Sequence, residues 1–420
     1  MVTAAIDPLS PTTGGVTRAG ARQAYTLIVM GSLPTLAIAS LVPVLPALFA
    51  RFKNAPHAEW LVPMILTVPS LCVALFSAGL GAAADRWGRR RILLLALVAF
   101  GLFGTAPMMF DDLHAIIASR FMVGIAEATI LTVGNALMGD YFGGAERKRW
   151  LGLQMSFGPI ISSGYILAGG ALGSISWHGP FALYALGLLV LVPAALYLFE
   201  PAAASGETSV RGASSAGSMS SGSGTAAEPS SHFPWRATLL VGAVTIAVSI
   251  VYFVQAVQHG RIFGDLGVTT PSRISLIVTL ASIGTVIGGY TYRRIRLRPV
   301  GRMLALVFFC FGFSYVGVSL APGYVSGALF DSVGQFAGGF AVPLLIAWAL
   351  TKYDHEHRGR GMGVWAACFF VGQFFSPPVL SLIAHGRLSF LATVGIVGAG
   401  CLAAGTMAWF SGGSEPTAAG

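Results

Sequence analysis

Gly81-Ala82-Ala83-Ala84-Asp85-Arg86-Trp87-Gly88-Arg89-Arg90-Arg91 is a short, strongly basic stretch held between two long apolar runs, residues 61 to 84 and 91 to 110. Its small residues let two helices approach closely, and Gly88 supplies a tight reversal. Asp85 can sit at the positive N-terminus of a neighbouring helix, while the arginines hold to anionic headgroups. A turn of this kind between apolar runs of about 20 residues is the signature of a chain that crosses a bilayer and returns.

The composition agrees. Of 420 residues, 55% are hydrophobic and only 10% are Asp, Glu, Lys or Arg, against about 25% charged in an ordinary soluble protein. The 54 Gly and 22 Pro follow no three-residue period, which excludes a collagen-like chain. Cys72, Cys310, Cys368 and Cys401 lie singly in apolar stretches, without the spacing of a metal or redox motif.

Outward from the basic stretch, apolar segments fall near residues 26–50, 61–84, 91–110, 113–138, 150–174 and 180–199, and again near 236–258, 272–292, 300–320, 322–350, 361–384 and 388–410. The first is too long for a signal-peptide core and is expected to remain in the mature protein. Between the two sets of six, Pro201 to Pro234 holds ten Ser, seven Ala and five Gly in 34 residues, too little apolar surface to order itself. The expected organisation is a six-helix bundle over 1–200, a flexible cytoplasmic linker over 201–234, and a second bundle over 235–420 with a short tail. The fold class is an all-α polytopic membrane protein with twelve transmembrane helices.

Nineteen of the 25 Lys and Arg fall on one side of this topology, five on the other, and Arg120 lies within a segment. Basic residues are retained on the cytoplasmic side, so both termini are expected there, in the inner membrane. The net charge of +9 thus reports topology and not a nucleic-acid partner.

The halves resemble each other. Arg147-Lys148-Arg149-Trp150-Leu151-Gly152 aligns with Arg358-Gly359-Arg360-Gly361-Met362-Gly363, and in that register Arg120 corresponds to Asp331. Internal repeats of this sort build many secondary transporters, with the solute site near mid-membrane.

The opening stretch, with Gly81, Asp85, Arg86, Gly88, Arg89 and Arg90 all in place, resembles the loop signature of the major facilitator superfamily. Ala118-Ser119-Arg120-Phe121-Met122-Val123-Gly124-Ile125-Ala126 is similar to a second motif of that family, and Gly158-Pro159 keeps part of an exporter kernel whose double glycine is here Ser162-Ser163. The second-half counterpart, Gly288-Gly289-Tyr290-Thr291-Tyr292-Arg293-Arg294, lacks the Asp. The resemblance is to the twelve-helix branch that exchanges drugs or metabolites for protons. It implies two pseudo-symmetric bundles, alternating access, a monomer among membrane lipids, and a gate in which Asp85 meets the start of the eleventh segment.

Arg120, Glu127 and Asp331 are ionisable groups inside apolar segments, and such groups mark pathways by default. Two readings stand: Glu127 and Asp331 carry protons or bind solute with Arg120 biasing them, or Arg120 neutralises one or both acids across a central cavity. Glu127 lies two turns from Arg120 on one helix face. The first segment holds no acid, unlike many exporters of the family. Asn135, Gln154, Tyr252, Gln255, Gln258, Gln335, Trp365 and Gln373 are the expected solute-lining residues, because a buried amide or polar ring needs a partner. Such a lining suits an amphipathic organic molecule.

His355-Glu356-His357 reads as a solvated loop, with no third metal ligand nearby. No phosphate-binding G-x-x-x-x-G-K-[ST] loop and no nucleophile elbow are present. The expectation is therefore not an enzyme and no cofactor, with a proton gradient as the energy source. Export of a small organic compound in exchange for protons is the leading expectation; import by proton symport and a transport-inactive sensor are the alternatives.

Overall fold

The computed structural model describes residues 19–201, 233–295, 299–354, 356–384 and 388–411. Most of the expected 201–234 linker lies outside the described residues. Twelve helices are long and apolar enough to cross a membrane: α1 (Ala21–Arg51), α2 (Ala58–Trp87), α3 (Arg89–Met108), α4 (Leu113–Tyr141), α5 (Gly144–Ile175), α6 (Gly179–Tyr197), α7 (Trp235–Asp265), α8 (Pro271–Arg294), α9 (Val300–Ser319), α10 (Tyr324–Thr351), α11 (Arg358–Ala384) and α12 (Phe390–Phe410). They are spans of an integral membrane protein, and among the described residues there is no strand.

Local chemistry sets where the helices begin and bend. Gly88, at φ +98°, turns the chain between α2 and α3 in a conformation that side-chain-bearing residues rarely adopt. The Asp112 carboxylate accepts from the Ala115 amide at 2.8 Å and caps α4. α1 is broken after Gly31 and again around Pro43, whereas α2, α5 and α11 carry internal prolines at Pro63 and Pro69, Pro159, and Pro377 and Pro378.

One apolar core gathers residues from α1 to α6, among them Met30, Leu36, Phe100, Ile130 and Tyr184, and a second gathers α7 to α12 around Phe311, Tyr315, Phe340 and Leu345. Phe253 and Val257 of α7 join the first core, so α7 reaches across between the halves.

The ends of the spans differ. At the end opposite the basic loops, here the far end, the halves are locked together. A methyl group at Gly170 of α5 would lie 2.2 Å from Ser275 Oγ of α8, and the Ser272 amide donates to Ser174 Oγ at 3.0 Å. The guanidinium of Arg261 on α7 lies over the rings of Phe49 on α1 and Phe390 on α12, at 4.5 and 4.2 Å. Towards the basic end the same helices are bare: Met155 and Ile160 of α5 and Val286 and Ile287 of α8 are exposed. The molecule is closed at the far end and parted at the basic end.

Sequence and structure disagree most in α7. The expected segment stopped at 258, but the helix continues to Asp265, so Arg261 lies within a span and not in a loop. The charged and polar residues that lowered the apparent apolarity there are the ones turned inward.

Candidate functional site

In the first half, Arg120 is fully buried. Its Nη2 donates to the carbonyls of Phe103 and Gly104 on α3 at 3.0 and 2.8 Å, and its guanidinium lies over the rings of Phe181 and Tyr184 on α6, at 5.1 and 4.6 Å. Such charge-assisted bonds contribute roughly 1.5–3 kcal/mol each. A desolvated ring face adds about 2 kcal/mol. Arg120 therefore anchors α4 to α3 and α6. Glu127, also buried, has no hydrogen-bond partner among the described residues, and its Oε1 is completely enclosed. It stays within electrostatic reach of Arg120, but no ion pair forms within 4 Å.

In the second half, Asp331 occupies the position in α10 that Arg120 occupies in α4, each the eighth residue of its span, yet its surroundings are different. Gln255 on α7 donates its amide to both the Asp331 carboxylate and the Asp331 carbonyl. His259, one turn further along α7, places Nε2 3.1 Å from Asp331 Oδ1. Gln335, one turn along α10, places Nε2 3.1 Å from the same imidazole nitrogen, and Thr285 on α8 donates to Gln335 Oε1 at 2.8 Å. Asp331 Oδ2 is enclosed without a partner. Asp331 and His259 are 1% and 3% exposed, which makes this a dry, polar cluster joining α7, α8 and α10.

Arg120, Glu127 and Asp331 thus do not form one constellation. Arg120 is committed to α3 and α6, and the partners of Asp331 come from α7 and α10. Gln255 and Gln335, expected to line a solute path, belong to the Asp331 cluster. Asn135 and Gln154 do come together, with Leu27 and Gly31, around a small cavity among α1, α4 and α5. Tyr252 packs on Phe253 and Phe369, and Trp365 stacks on Phe369 at 5.6 Å, which forms an aromatic group where α7 meets the first half. Gln258 and Gln373 are buried, with Oε1 and Nε2 respectively unpartnered.

At the basic end, Arg89 bonds Asp85 at 2.8 Å and also pairs with Asp140 at the end of α4. The carboxylate of Glu200, after α6, accepts from the amides of Arg89 and Arg90 at 2.6 and 2.9 Å and so caps α3. Arg90 donates to the Ala195 carbonyl at 2.7 Å, and Gly81 lets α2 pack against Thr132 of α4. Arg86 is exposed. The expected contact of Asp85 with the start of α11 is replaced by the Arg89 bond, since the basic end is parted; Arg358, opening α11, donates instead to the Tyr353 carbonyl. Among the described residues no three His, Cys, Asp or Glu side chains gather as metal ligands, and His355 lies outside those residues.

Three participants were not singled out from sequence: His259, Asp140 and Glu200. The i, i+4 spacing of Gln255 and His259 was the available signal for the first. Asp140 and Glu200 carry no local signal, because their partners are 51 and 111 residues away.

The chain belongs to the Major Facilitator Superfamily, whose family model matches residues 27–335. It is 31% identical over 174 residues to the class B tetracycline resistance protein of Escherichia coli, a match covering 41% of this chain and 43% of that protein. It is 31% identical over 166 residues to the bacillibactin exporter of Bacillus subtilis (strain 168), covering 37% and 40%. These matches span less than half the length of either relative. Among solved structures it is similar to a bacterial homologue of the human lysosomal transporter Spinster in an inward-facing, unoccupied conformation, with TM-score 0.67, 15% identity and 94% of each chain covered. It is also similar to the POT family transporter PepTSo, with TM-score 0.70, 11% identity and coverage of 94% and 99%. Membership places it with transport proteins and not with enzymes.

Proposed function

We propose that the chain exports a small, amphipathic organic compound in exchange for protons, by rocking residues 1–200 against 235–411 across the inner membrane. The basic face is cytoplasmic on this reading, so the conformation described is the one that loads solute from the cell. The linker over 201–234 is a tether, the working unit is a monomer, and the proton gradient supplies the energy without a cofactor.

The observation that carries the reading is the buried Asp331–His259 contact, 3.1 Å long and closed to solvent. A carboxyl and an imidazole are the two side chains best suited to gain and lose a proton near neutral pH, and an isolated ionisable pair inside a membrane is costly unless it is used. Glu127 supplies a second carboxyl, and Arg120 fixes the field around it. The aromatic group of Tyr252, Phe369 and Trp365 opposite Asn135 and Gln154 offers ring faces and amides to the solute, in keeping with relatives named for tetracycline resistance and bacillibactin export. Arg89, with Asp85 and Asp140, resets when the basic end closes.

Inverted membrane vesicles, acidified inside and monitored with a pH-sensitive dye, test this. A panel of lipophilic cations, aromatic acids, sugars and amino-acid derivatives is added compound by compound. Export predicts a compound-dependent collapse of the gradient that is lost in Asp331→Asn. Uptake of labelled compound by intact cells, with no collapse in vesicles, would point to symport.

A further inference from the structure

The nitrogen His259 Nε2 is asked to serve two partners at once, the Asp331 carboxyl and the Gln335 amide nitrogen, each at 3.1 Å. A ring nitrogen offers either one proton or one lone pair. With a lone pair on Nε2, the Gln335 amide donates to it and Asp331 holds its own proton. With a proton on Nε2, the carboxylate of Asp331 accepts it and the NH2 group of Gln335 faces an N–H, so the amide must turn to present Oε1. One net proton separates the two states: Asp331 passes its proton to Nε2 as Nδ1 gives up the one it held, and the imidazole is neutral in both.

Turning Gln335 reverses its bond to Thr285. The Thr285 hydroxyl donates to Gln335 Oε1 at 2.8 Å in the present orientation; opposite a turned amide it must accept, and its own proton needs another acceptor. α8 is discontinuous at this turn. Its helical stretches are Pro271–Ala281 and Ile283–Arg294, and the Thr285 amide bonds Ser282 O at 2.9 Å, three residues back. The carbonyl four residues back, on Ala281, is the nearest acceptor for the hydroxyl, and a Thr bonded to its own helix in that way bends it. The two stretches also have different attachments. Pro271–Ala281 carries the far-end seal against α5 through Ser272 and Ser275, whereas Thr285 rests directly on α10, where a methyl at Gly339 would meet its carbonyl oxygen at 2.0 Å.

We propose that Gln335 and Thr285 are positioning residues that carry the protonation state of the Asp331–His259 pair to a hinge in α8 between Ala281 and Ile283, and so couple the proton to opening of the far end. This rests on the proton-exchange reading of Asp331. The titratable groups facing the pair from other elements are Tyr315 of α9, whose hydroxyl donates to the Val251 carbonyl, with Tyr252 of α7 and Cys401 of α12 beyond it. Gln255 and Phe263 of α7 complete the surroundings. Among the described residues no Lys or Arg lies within ion-pair distance of Asp331.

The full chain, reconstituted in lipid nanodiscs, is probed with pH alone. Two readouts are taken together: the infrared band of the protonated carboxyl, and the spin-label distance between Ile175→Cys and Leu320→Cys, exposed far-end positions on opposite halves, with the four native cysteines replaced. In the parent protein the band titrates, is missing in Asp331→Asn, and moves with the far-end distance. Thr285→Val should keep the titrating band and reduce the pH-driven change in the distance populations by on the order of fivefold or more, and Thr285→Ser should restore it. Gln335→Leu provides a second break of the same link. If the band titrates while both Thr285→Val and Gln335→Leu leave the pH-driven distance change intact, the relay is wrong although the proton site stands. If no band depends on Asp331, the proton reading falls and the relay with it.

Discussion

Arg120 and Asp331 stand at the same position of matching helices, and the protein uses them in opposite ways. Arg120 is a permanent cation tied to two main-chain carbonyls and two rings. None of these partners can accept its proton, so the arrangement is static. Asp331 is tied to side chains, two amides, an imidazole and a hydroxyl at one remove, each of which can turn or exchange a proton. The difference teaches that a buried charge is read from its partners more than from its depth. Backbone partners make an anchor, whereas side-chain partners make a switch. The first half is on this account the rigid one, and coupling belongs to the second.

The contrast can be broken most sharply at its two centres. Asp331→Asn, nearly isosteric, should abolish compound-dependent collapse of the vesicle pH gradient by more than about tenfold, the size of effect expected when a proton-transfer group is lost, with the thermal unfolding midpoint close to the parent. Arg120→Leu should do the reverse in kind, removing two charge-assisted bonds and with them about 3 kcal/mol of stability, read as a lowered unfolding midpoint and poor yield. If Arg120→Leu folded normally and lost only coupling, the anchor reading would be wrong.

Glu127→Gln sharpens the comparison within the first half. With no hydrogen bond to lose, the variant should unfold within about 1 kcal/mol of the parent and reduce gradient collapse by less than Asp331→Asn does in the same assay. The smallest effect is expected at the basic end. Glu200→Ala removes the cap on α3 and should cost about 1 kcal/mol, seen as a modest drop in the unfolding midpoint with coupling retained. Partly exposed pairs such as Arg89 with Asp85 contribute no more than that, which suits a contact that must break in each cycle.

The architecture was legible because membrane spans announce themselves locally: each is one apolar run between polar turns, and every one of the twelve was visible from composition along the chain. Loop signature and family likewise depend on adjacent residues, Gly81 to Arg91. The site was only half legible. Asp331 and Arg120 stand out as charges in apolar surroundings, but sequence does not say which face of a helix meets which neighbour, so Arg120 was drawn to the acids when its partners are carbonyls of α3. Gln255 and Gln335 looked like solute contacts for the same reason. His259 fell just past the expected end of its segment at 258 and was lost, because the run from Gln255 to Asp265 is polar enough to read as a loop while its polar members are paired inside. Asp140 and Glu200 acquire meaning only when four helix ends are brought together at the basic face.

Infrared titration of the carboxyl groups in the reconstituted protein reaches the central claim without a known solute. A protonated-carboxyl band that responds to pH in the parent, persists in Arg120→Lys and Glu127→Gln, and vanishes in Asp331→Asn is the predicted result. A responsive band that survives Asp331→Asn and is lost in Glu127→Gln would place the proton in the first half and contradict the account.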